Sequence, residues 1–261
     1  MAHRIFFLRP DPGDEPPAGS VDLAIGLADG VTLHARHHPG PAGAPVVLLF
    51  HGNGEIVADY DDLAGMYRDA GAGLIVVDYR GYGRSGGLPT PSRLILDSDE
   101  VLAFVRSRLA DAGGPPLVVL GRSLGSAPAI HLAATRGADL AGLILDSGFA
   151  RTLPLLRLVG VPVERLGLAE KDGFGNRERI RSVRIPALIL HASRDTIIPL
   201  EDARLNHEAC GAADKRLVVI EGADHNTILA FGGRRYWSPI AEFLRGLGRE
   251  SAARRRTTSG P

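Results

Sequence analysis

The segment Gly121–Gly125, which reads Gly-Arg-Ser-Leu-Gly, has residue types that could do covalent chemistry. The pattern of a buried strand, Leu117–Leu120, precedes it, and a helical pattern follows it. In that context Gly-x-Ser-x-Gly forms a sharp turn that exposes the serine, and both glycines are needed because the residues on either side crowd each other. The serine then lies at a helix N-terminus, where free backbone N–H groups favour an anion. We therefore predict that Ser123 is a nucleophile.

His225 is the histidine best placed to act as the base for this serine. A serine hydroxyl needs a base at neutral pH, and the base needs a carboxylate to orient it, in the chain order serine, acid, histidine. His225 follows the last predicted strand, Leu217–Ile220, and so belongs to the same edge of the sheet as Ser123. The other histidines lie near the N-terminal hairpin, inside predicted helices or beside other motifs.

The acid of this triad has two candidates, each of which follows a predicted buried strand. Asp195 follows Ala187–Leu190, and Asp146 follows Leu143–Leu145. We predict Asp195, because the position after the penultimate strand is the commoner one, and we keep Asp146 as the alternative. Asp224 ranks lower, since side chains of adjacent residues in an extended loop point apart.

Two backbone N–H groups are the expected donors to the oxyanion of an acyl-transfer intermediate. Each such donor stabilises the transition state by about 2.7–4 kcal/mol. One is the N–H of Leu124, directly after the nucleophile. The other is that of Asn53, in the loop His51–Glu55 (His-Gly-Asn-Gly-Glu) after the third strand. The side chains of His51 and Glu55 are expected to hold the shape of this loop.

The elements that must position these residues are short apolar strands that alternate with helical segments, one of which is predicted over 56–70 from apolar residues spaced three and four apart. Two strands, Val21–Leu27 and Val31–His37, flank a turn and predict an antiparallel hairpin. The later strands are continuous apolar runs, which is typical of strands covered on both faces. The pattern predicts an α/β fold in which a mostly parallel sheet has helices on both faces. The six later strands are predicted at Val46–Phe50, Leu74–Asp78, Leu117–Leu120, Leu143–Leu145, Ala187–Leu190 and Leu217–Ile220.

One long segment, 149–180, contains no predicted strand and is rich in leucine and valine. We predict a short helical insertion over one edge of the sheet. It could form a lid with an acyl pocket, or it could be an ordinary cover for the core. The chain is predicted to form a single domain over 1–248, followed by a disordered basic tail over 249–261.

Composition excludes several classes of partner and site. Lys and Arg number 30 and so do Asp and Glu, which argues against nucleic acid or an acidic membrane surface as the main partner. The single cysteine, Cys210, excludes an internal disulfide and a cysteine-rich zinc site. The apolar runs are too short for a secretory signal or a membrane span. We expect a cytoplasmic protein with neither metal nor cofactor.

Four motifs follow one another along the chain: His51-Gly52-Asn53, the run Asp78–Gly86 (Asp-Tyr-Arg-Gly-Tyr-Gly-Arg-Ser-Gly), Gly121–Gly125 and His225. By these motifs the chain resembles the α/β-hydrolase superfamily over about Val21–Leu247. Within that superfamily it resembles the Bem46-like group, which includes depalmitoylating thioesterases. The resemblance implies an eight-stranded sheet and a serine hydrolase that uses no cofactor.

The predicted function is hydrolysis of a small-molecule carboxylic ester or thioester through an acyl-enzyme intermediate. The same triad could serve a peptidase, an amidase or a perhydrolase. A binding protein that has this fold without catalysis is the remaining alternative. A dehalogenase is disfavoured, because that chemistry needs an aspartate at the position of Ser123.

Overall fold

The structure is a computed structural model that describes residues 5–13, 15–110 and 114–258, with 250–258 described as backbone. One eight-stranded sheet has the strand order β1-β2-β4-β3-β5-β6-β7-β8. The pairs β1·β2 and β2·β4 are antiparallel, and the remaining neighbours are parallel. The strands are β1 (Val21–Gly26), β2 (Thr32–His38), β3 (Val46–Phe50), β4 (Gly73–Val77), β5 (Leu117–Arg122), β6 (Gly142–Asp146), β7 (Ala187–Ala192) and β8 (Lys215–Ile220).

Helices connect the parallel strands and cover both faces of the sheet. The predicted fold class is confirmed, because the sheet and its crossovers are those of an α/β-hydrolase fold. The helices in the described chain are α1 (Ala64–Asp69), α2 (Pro91–Ala110), α3 (Ser126–Thr135), α4 (Thr152–Leu158), α5 (Asn176–Arg179), α6 (Leu200–Ala209), α7 (Ile228–Gly232) and α8 (Arg234–Thr258).

Strand β3 shows why the sheet needs helices on both sides. All five of its residues are buried, and successive side chains point to opposite faces. Leu48 and Phe50 belong to one apolar core, together with residues of α2 and α3. Val47 and Leu49 belong to a second core, together with residues of α1 and α8. The apolar run Val46–Phe50 is continuous because its alternate residues pack into two different cores, one on each face of the sheet.

Residues 56–70, whose pattern predicts one helix, form a 3-10 turn at Val57–Tyr60 and then α1. Two carboxylates accept N–H groups at the start of this segment. Asp59 accepts the N–H of Ile56 (3.0 Å), and Asp78 accepts the N–H of Val57 (2.9 Å). These bonds hold the start of the segment against the end of β4.

The segment 149–180 is helical where it is regular, with α4, a 3-10 turn at Glu170–Asp172, and α5. Helix α8 continues to Thr258, although the sequence predicts a disordered tail from 249; arginine and alanine have high helix propensity. The end of that tail, 259–261, lies outside the described residues. Within the described part of the chain, none of the helices has the length and apolarity that a bilayer crossing requires. The cytoplasmic location stays a prediction.

Candidate active site

The turn at Ser123 is held by close approach of the backbone on both sides. Ser123 has a φ of +49°, a left-handed conformation that costs an ordinary residue about 1–3 kcal/mol. A Cβ atom on Gly121 would lie 2.3 Å from the carbonyl oxygen of Gly125, and one on Gly125 would lie 1.9 Å from that of Phe50. Only glycine fits at either position. The steric reason that predicts this turn from the sequence therefore applies in the structure.

The structure brings Ser123, His225 and Asp195 together. The Nε2 atom of His225 lies 3.1 Å from the Oγ of Ser123, and its Nδ1 lies 2.6 Å from Oδ2 of Asp195. The carboxylate can only accept, so Nδ1 carries the proton and Nε2 is left to accept one from the serine hydroxyl. The other oxygen of Asp195 accepts the N–H groups of Ile197 and Ile198, which fixes the orientation of the carboxylate.

The alternative acid, Asp146, is engaged elsewhere. Its carboxylate accepts hydrogen bonds from Arg122 Nη1 (3.1 Å), the Tyr236 hydroxyl (3.0 Å) and the Ser147 hydroxyl (2.9 Å). Strand order explains the difference. The loop of His225 follows β8, whose neighbour is β7, and Asp195 follows β7; Asp146 ends β6, one strand farther away. Asp224 is exposed and accepts the N–H of Thr227 within its own turn.

Both predicted oxyanion donors, Asn53 and Leu124, line the same cavity as Ser123 and His225. The expectation that Glu55 holds the loop agrees with the structure, because its Oε2 accepts the N–H of Gly52 at 2.7 Å. The Asn53 side chain also makes two hydrogen bonds that residue spacing did not indicate. The side chain of Asn53 binds the main chain of residues 5 and 7.

Arg122, the variable residue before the serine, is a buried cation that joins three parts of the site. Its guanidinium donates from Nε to Glu55 (2.8 Å), from Nη1 to Asp146 and from Nη2 to the carbonyl oxygen of His225 (3.1 Å). Burial alone would lower the pKa of Arg122, but the two carboxylates outweigh it and raise that pKa. Burial raises the pKa of Glu55, but Arg122 and the hydrogen bonds from Tyr60 and Gly52 leave it lowered. The signal in the sequence was a charged residue at the end of a buried strand.

The motif Asp78–Gly86 contacts the loop His51–Glu55 and supports it. Asp78 is fully buried and binds His34 Nδ1 at 3.1 Å. Burial raises the pKa of Asp78, but His34 and His51 outweigh burial and hold it well below the ordinary value. The Tyr79 hydroxyl donates to the carbonyl oxygen of His51 at 2.6 Å. The motif therefore fixes the backbone of the loop.

A cavity of about 320 Å³ opens at Ser123. This volume is at the lower end of the range for small-molecule sites, roughly 300–1,000 Å³. Its polar lining includes Ser123, His225, and Asn53 and Glu55 of the loop His51–Glu55. In the described chain, no group of three or more His, Cys, Asp or Glu side chains is placed to hold a metal ion. Most of the lining is apolar: Ile5, Phe7, Leu124, Phe149, Leu155, Leu156, Leu158, Val159, Phe174 and Ile197.

Comparison with known proteins supports the resemblance of this chain to hydrolases. Residues 42–166 match the family model described as serine aminopeptidase, S33. An uncharacterised protein of Mycobacterium tuberculosis is 31% identical over 246 residues, which cover 90% of this chain and 84% of that protein. Protein bem46 of Schizosaccharomyces pombe is 28% identical over 231 residues, which cover 85% of this chain and 75% of that protein.

A solved structure, the esterase Pf2001 of Pyrococcus furiosus, has the same fold. It superposes with a TM-score of 0.75 over 91% of this chain and 98% of that chain, at 20% sequence identity. With the eight-stranded sheet, the serine turn and these relatives taken together, the chain belongs to the Bem46-like group of the α/β-hydrolase superfamily.

Proposed function

We propose that this protein is a serine hydrolase that cleaves carboxylic esters or thioesters of apolar acyl groups. The observation that carries the proposal is the hydrogen-bonded series Ser123–His225–Asp195 at the opening of an apolar cavity. Membership of a hydrolase superfamily supports it. In this proposal the segment 149–180 is a cap on a single catalytic domain, because α4 supplies much of the apolar lining.

The reaction follows from the positions of the three side chains. Ser123 Oγ attacks the carbonyl carbon of the substrate while Nε2 of His225 takes the hydroxyl proton. The N–H groups of Leu124 and Asn53 donate to the oxyanion that forms. His225 then gives its proton to the departing alkoxide or thiolate, which leaves an acyl group on Ser123. Water, deprotonated by His225, attacks that acyl group; the bond between the acyl carbon and Ser123 Oγ then breaks, His225 returns the proton to Oγ, and the carboxylic acid leaves.

The lining of the cavity favours an ester over a peptide with a free amino terminus. An α-ammonium group needs an unpaired carboxylate in the site, as an aminopeptidase would provide. Glu55 is the acidic side chain in this lining, and it already accepts from Arg122, the Tyr60 hydroxyl and the Gly52 N–H. Both of its oxygens are therefore already engaged within the protein. Amidase activity is the alternative that the test below distinguishes.

The test is covalent labelling with a fluorophosphonate probe, followed by assays on matched p-nitrophenyl esters, thioesters and anilides. We expect the native protein to be labelled and the Ser123→Ala variant to remain unlabelled with an unchanged melting temperature. Esters and thioesters should be cleaved faster than the anilide of the same acyl group. A folded native protein that takes no label would contradict the proposal, and faster cleavage of the anilide would favour an amidase.

A further inference from the structure

We propose that residues Ile5–Arg9, which we call the N-terminal strap, form a wall of the active site that contacts the acyl chain of the substrate and sets its preferred length. The inference rests on the proposed function and adds a specificity element to it. None of the catalytic motifs includes these residues, and they lie at least 42 positions (51 − 9) before the loop His51–Glu55, which they contact.

The side chain of Asn53 holds the strap by two opposed hydrogen bonds. Its Oδ1 accepts the N–H of Phe7 at 2.8 Å, and its Nδ2 donates to the carbonyl oxygen of Ile5 at 2.7 Å. The Tyr82 hydroxyl donates to the same Oδ1 at 2.6 Å. With two donors facing one end of the amide and a carbonyl facing the other, only one orientation of Asn53 satisfies all three partners. The residue that carries a proposed oxyanion donor thus also fixes the strap.

Contacts of Phe6 and Arg9 also keep the strap in place. Phe6 is buried in the core beneath it, with 2% of its surface exposed. Arg9 pairs with Asp59 and donates to the carbonyl oxygen of Gly54 at 3.3 Å. The carbonyl oxygen of Arg9 accepts the N–H of Gly83 at 2.9 Å. The strap is therefore built into the fold and can act as a fixed wall.

The side chains beside Phe6 line the cavity. Ile5 and Phe7 belong to its lining, together with Leu158 of α4. Phe7 has 53% of its surface exposed and Leu158 has 58%. Large apolar side chains that remain exposed at a cavity are typical of a binding surface that an apolar ligand covers. An acyl chain attached to Ser123 and long enough to reach Phe7 would bury this ring.

The first test is the dependence of kcat/KM on acyl length, measured with p-nitrophenyl acetate, butyrate, octanoate and decanoate. We expect Phe7→Ala to lose more activity as the chain grows, by about fourfold more at decanoate than at acetate, which is the effect of burying about one methylene group. Leu96→Ala is the matched control, because Leu96 lies on α2 outside the cavity lining and is 55% exposed. An acyl-length profile that Phe7→Ala leaves unchanged would overturn the inference.

A double-mutant cycle tests whether Asn53 acts through the strap as a positioning residue. Asn53→Ala should reduce kcat for every ester and should also flatten the acyl-length profile. If the flattening arises from release of Phe7, adding Phe7→Ala to Asn53→Ala should flatten the profile no further. This role is contradicted if the effects of Asn53→Ala and Phe7→Ala on the acyl-length profile are fully additive. It is also contradicted if Asn53→Ala lowers kcat/KM equally for all chain lengths.

Binding of decanoate separates this inference from the proposed function. Calorimetry of Ser123→Ala protein with decanoate needs no turnover, so it remains informative if the native protein hydrolyses no ester. We expect decanoate to bind, and the added change Phe7→Ala to weaken binding about fourfold. Absence of binding, or binding that is indifferent to Phe7→Ala, would overturn the inference. Absence of fluorophosphonate labelling with Phe7-dependent decanoate binding would overturn only the proposed function.

Discussion

Arg122 donates a hydrogen bond from Nη2 to the main-chain carbonyl oxygen of His225, at a distance of 3.1 Å. The residue directly before the proposed nucleophile thus holds the loop of the proposed base. The same guanidinium binds Glu55, which in turn binds the N–H of Gly52 in the loop of the proposed oxyanion donor. One buried cation therefore connects the three loops whose relative position the proposed reaction requires.

Glu55→Gln should weaken this connection. An amide presents one acceptor where the carboxylate presents two, so a donor of Arg122, Gly52 or Tyr60 loses its partner. We expect a loss of about 1–3 kcal/mol in the free energy of unfolding by urea and a fall in kcat of about tenfold or more. Glu242→Gln is the control, since Glu242 pairs with Arg216 on the surface and should cost less than about 1 kcal/mol. Equal effects of the two changes would contradict the role of Glu55.

Asp195→Asn and Asp146→Asn should separate the orienting acid from a structural carboxylate. An amide at position 195 can no longer hold the Nδ1–H tautomer of His225 in the same way, so kcat should fall by up to about 10⁴. Asp146→Asn removes the charge that faces Arg122 and should chiefly lower the melting temperature. The assignment of the acid is wrong if, in folded protein, Asp146→Asn lowers kcat more than Asp195→Asn does.

Gly125→Ala should be far more damaging than Gly65→Ala. At position 125 the added methyl group meets the backbone of Phe50, which cannot move without displacing β3, and we expect a loss of about 3 kcal/mol or more. Nothing lies within 4 Å of the Cβ position at Gly65, which is on α1. There alanine should raise the free energy of unfolding by about 0.5–1 kcal/mol through its helix propensity. Thermal unfolding of both variants checks the prediction, and a tolerated alanine at 125 would contradict it.

His38→Gln should reduce the loss of stability at mildly acidic pH. Burial and the nearby Arg36 lower the pKa of His38 to about 4, against 6.5 ordinarily. Between these values the unfolded chain binds a proton that the folded protein does not. Stability from this group is therefore complete above about pH 6.5 and decreases as the pH falls towards 4. Between pH 8 and pH 5 the native protein should lose about 2 kcal/mol more than the variant, as measured by urea unfolding.

The protonation of His34 affects the pH dependence of stability in the opposite direction. The stability of the native protein must therefore be compared with that of His38→Gln at each pH. Burial lowers the pKa of His34, but Asp78 and Asp22 outweigh burial and raise it. The stabilisation that His34 contributes is complete below its ordinary pKa, and it is lost as the pH rises through the raised pKa of the folded protein. Parallel pH curves for the native protein and His38→Gln would show that His38 is not the group responsible.

Much of the fold could be predicted from local patterns. The run Val46–Phe50 indicated a strand buried on both faces, and the pair Gly121 and Gly125 indicated a tight turn at Ser123. Both depend on residues a few positions apart, whose alternation or steric crowding is visible along the chain. The same reasoning failed at 56–70, where the segment begins with a 3-10 turn held by Asp78, a residue distant in sequence that accepts the N–H of Val57.

The sequence by itself determined the chemistry that the chain could perform: a serine in a glycine-bounded turn, a histidine after the last strand, and two aspartates that each follow a strand. It favoured Asp195 over Asp146 only because the position after the penultimate strand is the commoner one, since reading along the chain does not show which strands are neighbours. Only the tertiary structure supplies a physical reason, by placing β7 beside β8 and engaging Asp146 with Arg122. The strap on Asn53 was likewise undetermined, since its hydrogen bonds join residues 46 and 48 positions apart and no local spacing predicts such pairs.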